Sequence, residues 1–274
     1  MATNPMTKDH RDFVETYAAG TARGKTLTAK AIQAHCRAAG IEPIVLRFES
    51  AAAAGTRPNG EVFINSDKLV AAMLDPGGAI SLLDPVAKAI TDSKAITDSK
   101  GTPFILDWAG GQSALRGDFY VASAFDSIVA ENGFVGWSFV VTTNQAASMV
   151  QAAAALDETA KVAPRLRRVL VLNCLHGGFD EFPPGSAEAK AYADALAPQA
   201  AKCAAHLTLP LIARRGWEPF SAAGLSILDV LNRPVGDLAD LTGLSLMLAA
   251  TCRTSVAAWW TEVEPQLERL LPLR

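Results

Sequence analysis

Seven residues, Gly20-Thr21-Ala22-Arg23-Gly24-Lys25-Thr26, combine the types that hold a phosphate chain. They follow an apolar run, Phe13–Tyr17, that reads as a strand, and they open an Ala-rich stretch, Lys25–Ala38, that reads as a helix. A loop at such a junction turns successive backbone N–H groups and a helix N-terminus toward one point, where negative charge is favoured. Gly24 admits close backbone approach, Lys25 adds a cation, and Thr26 offers a hydroxyl to Mg²⁺. The stricter pattern G-x-x-x-x-G-K-S/T fails at its first position, where Ala19 stands.

A second group lies downstream in Phe104-Ile105-Leu106-Asp107-Trp108-Ala109-Gly110, an apolar strand ending in a carboxylate and followed by glycine. An acid at the C-terminal edge of a strand holds Mg²⁺ through water, so Thr26 and Asp107 are the expected metal residues. Gly110, three residues on, lets a backbone N–H approach a terminal phosphate. The base is read separately. Proteins selective for guanine carry Asn-Lys-x-Asp, whereas this chain has Asn173-Cys174-Leu175-His176, so ATP is expected. Cys174 and His176 are only two soft ligands and read as a structural pair; His35 and His206 belong to no motif.

In this order the motifs resemble the ParA/MinD family of deviant P-loop ATPases, with plasmid partition proteins and conjugation-associated TraL-like proteins as the comparison. The resemblance spans Phe13 to Val235. It maps the family's deviant Walker A loop onto Gly20 through Thr26 and its Walker B strand onto Phe104–Asp107. It implies catalytic roles for Lys25, Glu49 and Asp107, with Glu49 positioning the attacking water. Thr21, Ala22, Arg23 and Gly24 then belong to the nucleotide-binding loop, and Asn173 contacts adenine. The family's signature lysine is replaced by Gly20, and the two glycines after it by Thr21 and Ala22. Arg47 stands where the family's second strand has its first acid. Arg23 and Arg47 are read as solvated arginines, with charge compensation in the lysine's place as the alternative. The resemblance implies a Mg²⁺- and ATP-dependent homodimer, hydrolysing slowly and serving plasmid or DNA partition or conjugal transfer. A non-hydrolysing nucleotide-binding adaptor and a P-loop small-molecule kinase are the competing readings.

The elements that must position these residues follow from pattern. Half of the 274 residues are apolar, 19% are charged, 7% are aromatic and mean hydropathy is +0.17, which excludes a disordered chain or a coiled coil. Short β-branched runs alternate with Ala-rich stretches, the signature of βαβ units. The expected fold is α/β: a mostly parallel twisted sheet with helices on both faces, in one domain spanning 1–274. Strands are expected at Phe13–Tyr17, Pro43–Phe48, Pro103–Leu106, Gly136–Thr142, Arg168–Leu172 and Leu207–Ile212. Helices are expected at Lys25–Ala38, Val86–Ser93, Asn144–Leu156, Ser186–Ala204, Leu225–Asn232 and Leu238–Leu271, the last one broken.

The hexapeptide Ala89–Lys94 repeats identically as Ala95–Lys100, and 89–100 reads as a surface insertion. Residues 238–274 read as a helical extension whose Trp259 and Trp260 pack in the core or dock a partner. A net charge of −3 with pI near 5.8 excludes a globally basic nucleic-acid surface. Nonspecific DNA or a protein partner is left to the local arginines Arg165, Arg167, Arg168, Arg214 and Arg215. Four scattered cysteines and an N-terminus without an apolar signal fit the reducing cytoplasm. Two uncharged or nearly uncharged stretches, Asn132–Leu156 and Leu241–Trp260, read as buried elements rather than membrane spans, since the first contains Asn144, Gln145 and Gln151 and the second is interrupted by Arg253.

Overall fold

The computed structural model describes residues 11–20, 23–49, 61–65, 102–108, 113–213 and 216–273; for Glu49, 61–65, 113 and 114 it describes the backbone alone. The apolar runs become strands β1 (Arg11–Tyr17), β2 (Ile44–Glu49), β3 (Glu61–Asn65), β4 (Phe104–Asp107), β5 (Phe134–Thr143), β6 (Arg167–Asn173) and β7 (Ala205–Leu209). They form one sheet in the order β3-β2-β4-β1-β5-β6-β7, and every pairing is parallel. A sheet covered on both faces needs apolar side chains on both sides of each strand, which is why its central strands read as nearly continuous apolar runs.

The helices are α1 (Lys25–Ala38), α2 (Ser113–Ser123), α3 (Phe125–Glu131), α4 (Ala146–Val162), α5 (residues 187–200), α6 (Glu218–Ala222), α7 (Ile227–Asn232), α8 (Val235–Thr242) and α9 (Leu246–Leu270). The middle of α5, Ala191–Leu196, is wound as a π-helix. Alternation along the strands sends side chains into two cores. On one face Val14, Phe139, Val141 and Val171 pack with Ile32 of α1, Val230 of α7, and Val256, Trp259, Val263 and Leu267 of α9. On the other, Phe13, Leu106, Val140 and Leu170 pack with Phe119 and Tyr120 of α2, Phe125 of α3, Leu156 of α4 and Leu196 of α5.

The parallel α/β expectation is met, and α1 has the expected limits. Its chain leaves through Gly40 at φ +76°, a left-handed exit open to glycine, before Pro43. The break expected in the last helix falls at Gly243, whose φ of +69° ends α8 before Ser245 caps α9. Trp259 and Trp260 are buried core residues, so α9 is part of the domain's interior. The sequence reading missed β3, five residues on the sheet edge, and also α2, α3 and α6. Gly117 lies inside α2, where glycine weakens the helical signal. The expected helix Val86–Ser93 and the hexapeptide repeat lie outside the described residues.

Among the described residues no single helix is long and apolar enough to cross a membrane; α8 and α9 meet that measure only together, bent by 107°.

Candidate functional site

The loop after β1, the central strand, leaves the C-terminal edge of the sheet, where ligand crevices of open parallel sheets lie. Gly24 ends the loop at φ +98° and forms the N-cap of α1. A Cβ at Gly24 would collide with the Asn173 amide, so both conformation and space require glycine. Asn173, at the end of β6, donates from Nδ2 to the Arg23 carbonyl at 2.9 Å and ties the loop to the sheet. Arg23 reaches across to β5 and the start of α4, donating to Thr143 Oγ1 at 3.1 Å and Gln145 Oε1 at 3.0 Å. No side chain caps the α1 N-terminus and no acid lies in its first turn, so its partial positive charge faces the loop.

Lys25 is buried and donates from Nζ to the Gly20 carbonyl at 2.9 Å, folding its ammonium back over the loop. Burial pushes that ammonium below the ordinary lysine value; Asp107 pulls it back up and Arg23 adds to the lowering. Asp107 ends β4 in register with Thr16 of β1 and Arg47 of β2, and residues in register on adjacent parallel strands share a face. Its Oδ1 accepts from Thr16 Oγ1 at 2.8 Å, and its Oδ2 lies 3.4 Å from Arg47 Nε. Burial raises the Asp107 carboxyl above the usual range, opposed in part by Arg47, by hydrogen bonds from Thr16 and Thr26, and by Lys25.

Thus Gly20, Arg23, Gly24, Lys25, Thr26, Asp107 and Asn173 meet at one edge of the sheet. Thr21, Ala22 and Gly110 lie outside the described residues, and Glu49 is placed by its backbone alone, paired with Asn65 at the end of β2. Arg47 corrects the sequence reading. It is not solvated but 7% exposed, because its strand is covered on both faces and its charge is met by Asp107. Asp107, the carboxylate expected to serve Mg²⁺ through water, accepts from Thr16 on one oxygen and faces the Arg47 guanidinium at the other, and Thr26 bonds the same carboxylate.

Beside the loop, a cleft of about 580 Å³ runs between Gly24, Leu27 and Asn173 on one side and Pro210, Ile212, Trp217 and Ser221 on the other. Its volume and apolar walls suit a purine-sized group. Lys30 of α1 holds two of its wall residues, donating to Ser221 Oγ at 3.0 Å with its ammonium 5.3 Å from the Trp217 ring centroid.

Sequence reasoning missed a second charged group. Glu15, in the middle of β1, is fully buried and ion-paired with the equally buried Arg116 of α2. Trp108 Nε1 and Tyr120 OH each donate to Glu15 at 2.9 Å, and the guanidinium lies between the rings of Tyr17 and Tyr120. Burial would raise the Glu15 carboxyl, but Arg116 and hydrogen bonds from Ser138 and Trp108 outweigh it and hold the group below its usual value. Trp108 follows Asp107 directly and stacks on Phe48 at 4.5 Å, so the network fixes the chain on both sides of residues 109–112. The available signal was a carboxylate in the middle of a central strand, where a buried charge calls for a partner.

The arginines expected to meet nucleic acid lie elsewhere. Arg167 and Arg168 begin β6, at the sheet edge opposite the loop. Arg167 sits 5.1 Å from the Trp137 ring centroid, while Arg168 donates to the carbonyls of Leu156 and Lys202. Arg214 and Arg215 are outside the described residues. Cys174 and His176 have no third ligand: among the described residues no group of three or more His, Cys, Asp or Glu is arranged to hold a metal.

No family profile matches the sequence, and no curated protein does. Among solved structures the chain is similar to a ParA family ATPase from Chlorobium tepidum TLS, with 11% identity, 92% of this chain and 98% of that one covered, and a TM-score of 0.43. It is also similar to a variant of Cyanothece McdA in complex with ATP, with 12% identity, coverage of 91% and 97%, and a TM-score of 0.40. The chemistry of the site rests on this chain's own residues.

Proposed function

We propose that this protein binds ATP in the loop Gly20–Thr26 and acts as a nucleotide-switched, ParA/MinD-like dimer in DNA partition or conjugal transfer. The observation that carries the reading is the uncapped N-terminus of α1 beneath a glycine loop, with the Lys25 ammonium folded onto the Gly20 carbonyl. An incoming phosphate exchanges that carbonyl for a charged partner, and the α1 dipole adds to the attraction. The base then extends along the cleft walled by Leu27, Ile212 and Trp217. Glu49, at the end of β2, remains the proposed residue for orienting water, and the local arginines Arg165, Arg167, Arg168, Arg214 and Arg215 the proposed contacts to DNA or protein.

Hydrolysis is slow in this reading, because Gly20 replaces the lysine that the resembled family extends across its dimer. The same substitution, with Arg47 rather than an acid beside Asp107, favours as a second reading an adaptor that binds ATP without turning it over. Single-turnover hydrolysis above and below the dimerisation concentration, with and without DNA, tests the switch. The expected result is slow phosphate release that rises with protein concentration. Fast release independent of concentration contradicts it, and no release despite tight binding selects the adaptor.

A further inference from the structure

We propose that Trp217 is the side chain on which the nucleotide base stacks, and that it gives the site a preference for purine over pyrimidine nucleotides. The inference rests on the nucleotide-binding reading and goes beyond it to the residue that selects the base.

The cleft begins at the loop itself, because Gly24 and Asn173 line it. A nucleotide whose phosphates meet the α1 N-terminus therefore has this cleft open to its base, between Leu27 of α1 and the chain from Pro210 to Ser221. Trp217 is the one aromatic side chain among the described residues that line it. Of the polar side chains there, Asn173 donates to the Arg23 carbonyl, Ser221 accepts from Lys30, and Glu218 is exposed. The walls thus offer a base mainly apolar surface, and a flat π-system gains most from another ring.

The indole is held in place by the protein's own contacts. Trp217 is partly buried against the core that α1 and α9 share, and it is the N-cap of α6, with Pro219 in the first turn. The Lys30 ammonium lies over its ring, 5.3 Å from the centroid, and is anchored on Ser221 Oγ at 3.0 Å. A ring fixed in this way gives up little freedom when a base stacks on it. Stacking on an aromatic side chain is worth about 5- to 100-fold in affinity per base, and it grows with the area covered, so two-ring bases gain more than one-ring bases.

The test is isothermal titration of wild type, Trp217→Ala and Trp217→Phe with ATP, CTP and inorganic tripolyphosphate in one Mg²⁺ buffer, each protein checked by thermal melting. Wild type is expected to bind ATP at least about fivefold more tightly than CTP. Trp217→Ala is expected to lose at least about fivefold in ATP affinity and most of the preference over CTP, while its tripolyphosphate affinity stays within about twofold of wild type. Trp217→Phe, which keeps a ring, is expected to retain most of both. An unchanged ATP-to-CTP ratio in Trp217→Ala overturns the proposal, and so does an equal loss of all three ligands, which would make Trp217 structural. Wild type that binds the three ligands equally overturns the proposal and leaves the nucleotide reading intact, whereas wild type that binds none of them overturns that reading itself. Where neither variant folds, photolabelling of wild type with 8-azido-ATP decides. Label on the peptide that carries Trp217 supports the proposal, and its absence from that peptide overturns it.

Discussion

At the residue scale, the site depends on groups whose surroundings leave no latitude. Gly24 is held at φ +98° with the Asn173 amide in the space a Cβ would fill. Gly24→Ala is therefore expected to cost about 1–2 kcal/mol from the left-handed backbone alone, plus displacement of Asn173, and to lower ATP-analogue affinity together with the urea midpoint. A variant with unchanged affinity and midpoint contradicts this account of the loop. Glu15→Gln leaves Arg116 buried and unpaired, a loss of about 3–5 kcal/mol at neutral pH. Because folding lowers the Glu15 carboxyl, its contribution is full above the unfolded value near 4.5 and is lost as pH falls through the lower folded value. Urea unfolding of wild type and Glu15→Gln is thus expected to diverge most at pH 7 and to converge toward pH 3. Cys36, buried in α1 with its thiol pushed up to about 12, is expected to resist alkylation at pH 8 until the protein unfolds, and peptide mapping of the labelled chain checks this. The loop and Asp107 were legible in the sequence because their residue types are adjacent in the chain. The partners Arg47 and Arg116 were not, since each acquires its role only when another strand or helix is set against it.

At the scale of elements, strands were easier to read than helices. A strand covered on both faces is a run of apolar residues, and β5 and β6 announce themselves as FVGWSFVVTT and RRVLVLN. Helices α2 and α3 were hidden: α2 carries Gly117 in its interior, and α3 spans only seven residues from Phe125. The last helix shows how packing settles what pattern leaves open. Val256, Trp259, Val263 and Leu267 of α9 face the sheet, and His35 Nε2 of α1 lies 3.0 Å from the Leu271 carbonyl just beyond it. Because α9 covers the face that also carries α1, its loss should loosen the loop's supporting helix. Trp259→Ala is expected to destabilise the protein by about 3–5 kcal/mol. Denaturant unfolding followed by circular dichroism measures it, and a change below ~1 kcal/mol would mean that α9 is a peripheral attachment.

At the scale of the whole molecule, a parallel sheet with two apolar cores holds the loop, the β4 carboxylate and the purine-sized cleft at one edge, while Arg167 and Arg168 lie at the other. In the proposed function the nucleotide acts at the first edge and a partner at the second. Everything proposed depends on whether triphosphate sits between Gly20 and Thr26. The most direct measurement is isothermal titration of wild type and Lys25→Ala with a non-hydrolysable ATP analogue, with GTP as competitor and thermal melting as the control for folding. The account predicts saturable binding by wild type, weak competition by GTP, and a loss of affinity of at least about tenfold in a Lys25→Ala variant that melts like wild type. Undiminished binding by that folded variant would contradict it.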